Sequence, residues 1–81
     1  MKGRVLFFSL LQDLSGCAEL AVTGAPATVG ELLEQQLYSR WPALRDWDAA
    51  LLLALDHRYV RRDEPLHEGF ELALMPPVQG G

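Results

Sequence analysis

A single segment of this chain has the periodicity of a helix long enough to lie across a sheet, and the rest reads as strands and turns. Val29, Leu32, Leu33, Leu37 and Trp41 fall on one stripe at helical spacing, which predicts a helix from about Val29 to Arg40. Thr28-Val29-Gly30-Glu31 supplies its start as a capping box: the Thr28 hydroxyl accepts from the Glu31 amide while Glu31 reaches back. Pro42 supplies its stop, since the residue before a proline is pushed out of the α region.

Around that helix the strands follow from alternation and residue type. Arg4 to Phe8 is rich in β-branched and aromatic residues, Glu19 to Val22 alternates, and Gly24-Ala25-Pro26 breaks the chain before the helix. Leu10 to Gly16 reads as a connection, and Ala43 to Asp48 as a turn or helical fragment. Leu51 to Leu55 is a continuous apolar run short enough for a buried strand, Asp56-His57-Arg58 turns into Tyr59-Val60, and Phe70 to Met75 alternates as the last strand. The order predicts an α+β domain over residues 1–75, a mixed sheet of about five strands with one main helix across one face.

One helix covers one face, so the other face of the sheet should be polar. It is not. If Val5 and Phe7 point at the helix, Leu6 and Phe8 point away; Ala73 and Met75 lie opposite Leu72 and Leu74, and Tyr59 is close by. A leftover apolar patch on so small a domain is covered by loops, by a second copy of the chain or by a protein partner; the partner is the favoured reading, with Phe8, Tyr59 and Met75 as its candidate contacts.

Size and charge narrow the function. Eighty-one residues make one domain, and 49% hydrophobic residues are enough for a core. A net charge of −4 argues against a nucleic-acid partner, and the Arg58, Arg61 and Arg62 cluster reads as a solvated turn or a contact for an acidic partner. No apolar run approaches a membrane span, and the lone Cys17 fits a reducing, cytoplasmic setting. Leu14-Ser15-Gly16-Cys17 does look like a lipoprotein cleavage box, which would put a lipid on Cys17. Against it, the preceding apolar run is short, Gln12 and Asp13 interrupt it, and processing would discard the best strand.

For catalysis the side chains offer little. Cys17, Ser9, Ser15 and Ser39 have only His57 and His67 as bases, with no motif around them. Both histidines sit in predicted turns among acids with no metal spacing. The group set apart is the C-terminal carboxylate of Gly81. Residues 76–81, Pro76-Pro77-Val78-Gln79-Gly80-Gly81, form a tail of roughly 20 Å if extended, with a proline stem that favours extension and a tip without Cβ that can thread a narrow channel. Adenylated by a partner with ATP, such a carboxylate accepts sulfur to become a thiocarboxylate, or an amine to become an isopeptide.

Lys2-Gly3-Arg4-Val5-Leu6-Phe7-Phe8, Gln12-Asp13-Leu14-Ser15-Gly16, the Thr28-capped helix, Gly69 and the Pro-Pro-Val-x-Gly-Gly ending resemble, in register and over the whole chain, the small sulfur-carrying subunits of molybdopterin synthase. The resemblance implies the ubiquitin-like β-grasp fold with an extended C-terminal tail. It implies that Gly81 is adenylated by a ubiquitin-activating-like adenylyltransferase, with ATP bound by that partner and no stable cofactor here. A sulfur donor such as a persulfide-bearing enzyme would then give the thiocarboxylate. Pro76, Pro77, Val78, Gln79 and Gly80 would thread the active site of the large synthase subunit, in a heterotetramer where this chain donates sulfur to cyclic pyranopterin monophosphate without itself being the catalyst. Carriers for thiamin thiazole or RNA thiolation, and ubiquitin-like protein modifiers, share the Gly81 chemistry and stay open. Two positions depart from the family pattern: Gln12-Asp13 where Arg-Glu is frequent, and Phe70 where Asp often follows the glycine. Phe70 would add an apolar group near the suspected interface.

Overall fold

In the computed structural model residues 1–24 and 26–77 are described. The chain runs β1 (Lys2–Phe7), α1 (Leu10–Ser15), β2 (Glu19–Thr23), α2 (Val29–Leu32), β3 (Leu52–Leu55), β4 (Arg58–Tyr59) and β5 (Phe70–Met75). The five strands form one mixed sheet in the order β2-β1-β5-β3-β4. β5, the last strand, is therefore its centre, parallel to β1 on one side and antiparallel to β3 on the other.

The predicted helix begins where the capping box places it. The Glu31 amide donates to the Thr28 hydroxyl at 3.2 Å, and the Glu31 carboxylate accepts from the Ala27 amide at 2.6 Å. α2 then widens into a π-helical turn over Leu33–Leu37, where the Tyr38 amide reaches back to the Leu33 carbonyl. Val29, Leu32, Leu33, Leu37 and Tyr38 are all buried, so the wider turn keeps this side packed on the sheet. Pro42 opens a 3-10 segment to Ala50 that buries Leu44. The helical side of the sheet is lined by Val5, Phe7, Leu53, Leu55, Phe70, Leu72 and Leu74, which join the helix residues in one core cluster.

Two expectations need correcting. Leu10 to Gly16 is not a plain connection, because residues 10–15 form α1. Leu11 is buried, Leu14 packs against the core, and Gly16 caps the end in the left-handed conformation, its amide donating to the Gln12 carbonyl at 2.8 Å. Phe70 is also not near the outer face: it is 1% exposed and faces the helix. It lies beside Gly3 in the parallel register, and a Cβ on residue 3 would come within 2.3 Å of the Phe70 ring. The absent side chain at Gly3 is what makes room for the aromatic ring.

Candidate functional site

The face of the sheet away from the helix is ordered in rows by strand register. In the middle row Leu6 on β1 stands opposite Ala73 on β5, Ala73 opposite Ala54 on β3, and Ala54 opposite Tyr59 on β4. The next row, toward the end of β5, holds Leu52 opposite Met75, with Phe8 just past β1, where its amide donates to the Leu74 carbonyl at 3.2 Å. The opposite row holds Arg4 beside Glu71. The face is thus graded along the strands: apolar where Pro76 and Pro77 leave β5, charged at the far end.

A groove of about 210 Å³ lies between these rows, lined by Leu6, Phe8, Ala54, His57, Glu71, Ala73 and Met75. Phe8 and Met75, two of the three predicted contacts, share it. Phe8 is 45% exposed despite its size, and its position is set by the turn that follows. The Leu11 amide donates to the Phe8 carbonyl at 3.0 Å, and Ser9 takes a φ of 52°, a conformation that side chains other than glycine rarely adopt. Tyr59, the third, is 72% exposed on the edge strand and does not line the groove. His57 and Glu71 are groove residues that the sequence reading did not place there. Glu71 was legible as an outward residue from the alternation of β5, whereas the place of His57 depends on how the hairpin closes.

The hairpin closes through Asp56 and His57, both with positive φ, the pair of left-handed residues that suits a tight two-residue turn. The Asp56 carboxylate holds this turn on the sheet. One oxygen accepts from the Glu71 amide at 3.1 Å and the other is hydrogen-bonded to His67. The hydrogen bond from His67 holds the Asp56 carboxyl below its usual value, and the same bond raises His67. Glu71 sits between Arg4 and His57, each 3.4 Å away, and Arg4 also reaches Glu19 at 3.5 Å. The arginines of the predicted basic cluster are largely used internally: Arg58 pairs with Glu64 at 3.6 Å, and Arg62 with Asp48, which also accepts from the buried Tyr38.

No group of three His, Cys, Asp or Glu side chains among the described residues could hold a metal. Cys17 is half-buried beside Ser15, against the core. The strand that processing before Cys17 would remove, β1, is paired on both edges. No described helix is long and apolar enough to cross a membrane. Pro76 and Pro77 continue directly from β5 at the apolar end of the face. Val78, Gln79, Gly80 and Gly81 lie outside the described residues.

A sequence model described as the ThiS family matches residues 5–81. The chain is 40% identical to the "Molybdopterin synthase sulfur carrier subunit" of Escherichia coli over 81 residues, covering 96% of this chain and 98% of that one. It superposes on the crystal structure of SAMP1 from Haloferax volcanii with a TM-score of 0.84 and 29% identity, each chain covered in full at 100%. At 24% identity and a TM-score of 0.71, again over 100% of both chains, it shares the fold of a chain in the "Protein-protein complex of subunit 1 and 2 of Molybdopterin-converting factor" from Helicobacter pylori. With the mixed sheet, the helix across one face and the match running to the last residue, the chain belongs to the ThiS family, with a ubiquitin-like β-grasp fold.

Proposed function

We propose that this chain is the sulfur carrier of a molybdopterin synthase, acting in the cytoplasm and working through its C-terminal carboxylate. The observation that carries the reading is the apolar end of the outer face, Phe8 and Met75, lying where Pro76 and Pro77 leave the central strand. A partner seated there meets the chain where the tail begins, at Pro76 and Pro77. The E. coli relative, a sulfur carrier subunit by name, supports the same assignment, and the H. pylori complex supports a large subunit as the partner.

In this reading an adenylyltransferase joins the Gly81 carboxylate to the AMP portion of ATP and releases pyrophosphate. The terminal sulfur of a donor persulfide then displaces AMP to give an acyl disulfide, and a thiol attacks the donor's sulfur, forming a disulfide there and releasing the thiocarboxylate. The thiocarboxylate sulfur attacks a carbon of the pterin precursor in the large subunit and displaces an oxygen substituent; water then cleaves the resulting thioester, which returns the carboxylate and leaves the sulfur on the pterin. The domain contributes docking and reach; acid–base work falls to the partners. Intact-mass measurement after incubation with ATP, an adenylyltransferase and a sulfur donor tests this. The expected result is a gain equal to exchanging one oxygen for sulfur, localised to the C-terminal peptide. Sulfur on Cys17 instead, or no gain, defeats the reading.

The likeness to SAMP1, a small archaeal modifier protein, favours a second reading in which Gly81 is joined to lysines of other proteins. It predicts isopeptide adducts from the same activated species, which the same mass analysis resolves.

A further inference from the structure

We infer that the outer edge of β2 is an interaction surface for a second copy of this chain, the two β2 strands pairing antiparallel about Ala21 so that two sheets become one. This pairing needs no sulfur chemistry and stands whether or not the carrier reading holds.

β2 and β4 are the edge strands of the sheet, and they are guarded differently. β4 is two residues long, Arg58–Tyr59, with Arg61 and Arg62 just past it; a short, charged edge gives another strand little to pair with. β2 runs five residues, Glu19–Thr23, with no proline or lysine and with Glu19 as its one charge. The Phe7 amide donates to the Ala18 carbonyl at 2.9 Å, and bonded residues alternate along an antiparallel pair. Leu20 and Val22 therefore turn their backbone groups to β1, while Glu19, Ala21 and Thr23 turn theirs outward. The Thr23 carbonyl agrees, since it accepts from the Gln36 side-chain amide at 3.0 Å. That bond closes one end of the row. Among the described residues the amides and carbonyls of Glu19 and Ala21, and the Thr23 amide, meet no other partner.

Symmetry and charge select a second copy as the occupant. With Ala21 opposite its own counterpart, Glu19 stands opposite the neutral Thr23 of the second copy. Lys2 of that copy follows on the next strand, because Lys2 pairs with Thr23 in the β1–β2 register. Across the junction the row thus reads Glu19, Thr23, Lys2, once in each direction. Two strand spacings, about 10 Å, separate the acid from the lysine, a gap that two long side chains close over a short one. Among the described residues no carboxylate is paired with the Lys2 ammonium, since Glu68 bonds only the Lys2 backbone amide. The two Glu19 residues stand four positions apart along the strands, about 13 Å, where salt screens them. Centring on Leu20 instead would about halve that distance. On the helical side half-buried Leu20 meets Val22 of the second copy, which covers it.

The Ala21 amides donate to each other's carbonyls and each Thr23 amide to the Glu19 carbonyl opposite, about four hydrogen bonds that leave the Gln36 bond in place. β2 lines no part of the outer groove. The two-fold axis stands perpendicular to the joined sheet, so both grooves lie on one side of it and stay open.

Sedimentation equilibrium of the full chain, from micromolar to about 1 mM, tests this, with amide hydrogen exchange followed over the same range. A reversible monomer–dimer equilibrium is expected, and the Ala21 amide should exchange more slowly as concentration rises. Ala21→Glu sets like charges across the axis, and Ala21→Pro removes the central donor without touching an internal bond. Each should weaken pairing roughly tenfold or more while the melt stays cooperative. Lys2→Glu should weaken it several-fold at low salt and less at high salt. Phe8→Asp, on the outer face, should leave it unchanged. A monomer at every concentration, wild-type pairing in Ala21→Glu or Lys2→Glu, or a dimer lost in Phe8→Asp overturns the inference.

Discussion

Replacing Gly3 with alanine adds one methyl group and should cost this domain more than most single changes. The new Cβ would lie 2.3 Å from two atoms of the Phe70 ring and 2.6 Å from a third, distances that carbon atoms do not hold. Backbone retreat is blocked on the spot, because the Gly69 amide donates to the Lys2 carbonyl at 2.7 Å and β1 is paired to β2 on its other edge. Relief must come from the ring, which is 1% exposed and packed in the core. Overpacking of this kind costs about 2–3 kcal/mol. For a domain of this size that lowers the melting temperature by roughly 8–24 °C, at about 4–8 °C per kcal/mol. Circular dichroism melts of Gly3→Ala, Phe70→Ala and the double variant form the test. Phe70→Ala alone should cost about 3–5 kcal/mol through the cavity it leaves. In the double variant the methyl added at position 3 no longer meets a ring, so the sum of the single effects should exceed the combined one by at least about 1 kcal/mol. A Gly3→Ala protein melting within about 2 °C of the parent would mean that the ring yields at no cost, and additivity to within about 0.5 kcal/mol would mean that methyl and ring do not meet. Either outcome overturns the packing account.

Thr28→Ala removes the hydroxyl that caps α2 and should lower stability by about 1 kcal/mol in urea titration. Tyr38→Phe removes a buried donor to Asp48; the stability loss should be about 1–3 kcal/mol, since the acceptor is charged. Burial and the Asp48 carboxylate push the Tyr38 phenol up, so its absorbance should not titrate in the ordinary range around 10 while the chain is folded. His67 is raised from 6.5 by its bond to Asp56, so its contribution is full below 6.5 and is lost as pH rises through the raised value. Asp56 is lowered from 3.8, so its contribution is full above 3.8 and is lost as pH falls through the lowered value. His67→Gln should flatten the dependence of melting temperature on pH on both sides. Phe8→Asp and Met75→Asp should weaken association with a large synthase subunit by tenfold or more with the fold intact, measured by calorimetry, because an unpaired charge would be buried against the partner.

Local signals in the sequence suffice where neighbours along the chain decide the structure. The capping box sets the start of α2, and strict alternation sets β5 at Phe70–Met75 together with its inward side, Leu72 and Leu74. The outward apolar set of Leu6, Phe8, Ala73 and Met75 follows from the same parity. α1 is hidden because six residues leave little room for a periodic pattern, and its burial comes from packing with distant elements. The burial of Phe70 is half legible, since it shares the parity of Leu72 and Leu74. Its space, however, depends on a glycine brought alongside by parallel pairing from the other end of the chain. The groove on the outer face is invisible for a similar reason. Two alanines make a depression only once register sets them opposite each other, and register between strands cannot be read from either strand alone.

The position of β5 between β1 and β3 also has a mechanical meaning. Tension on the chain beyond Pro77, with the domain held through its N-terminal residues, pulls parallel neighbours β1 and β5 past each other lengthwise. The hydrogen bonds between them then bear the load together and in shear, instead of opening one after another from an end. A pull on the tail therefore loads the central pair of strands along their length. Single-molecule extension from the two termini should therefore show one high-force rupture. Pulling between residues in β3 and β4, whose short antiparallel pairing opens bond by bond, should proceed at much lower force.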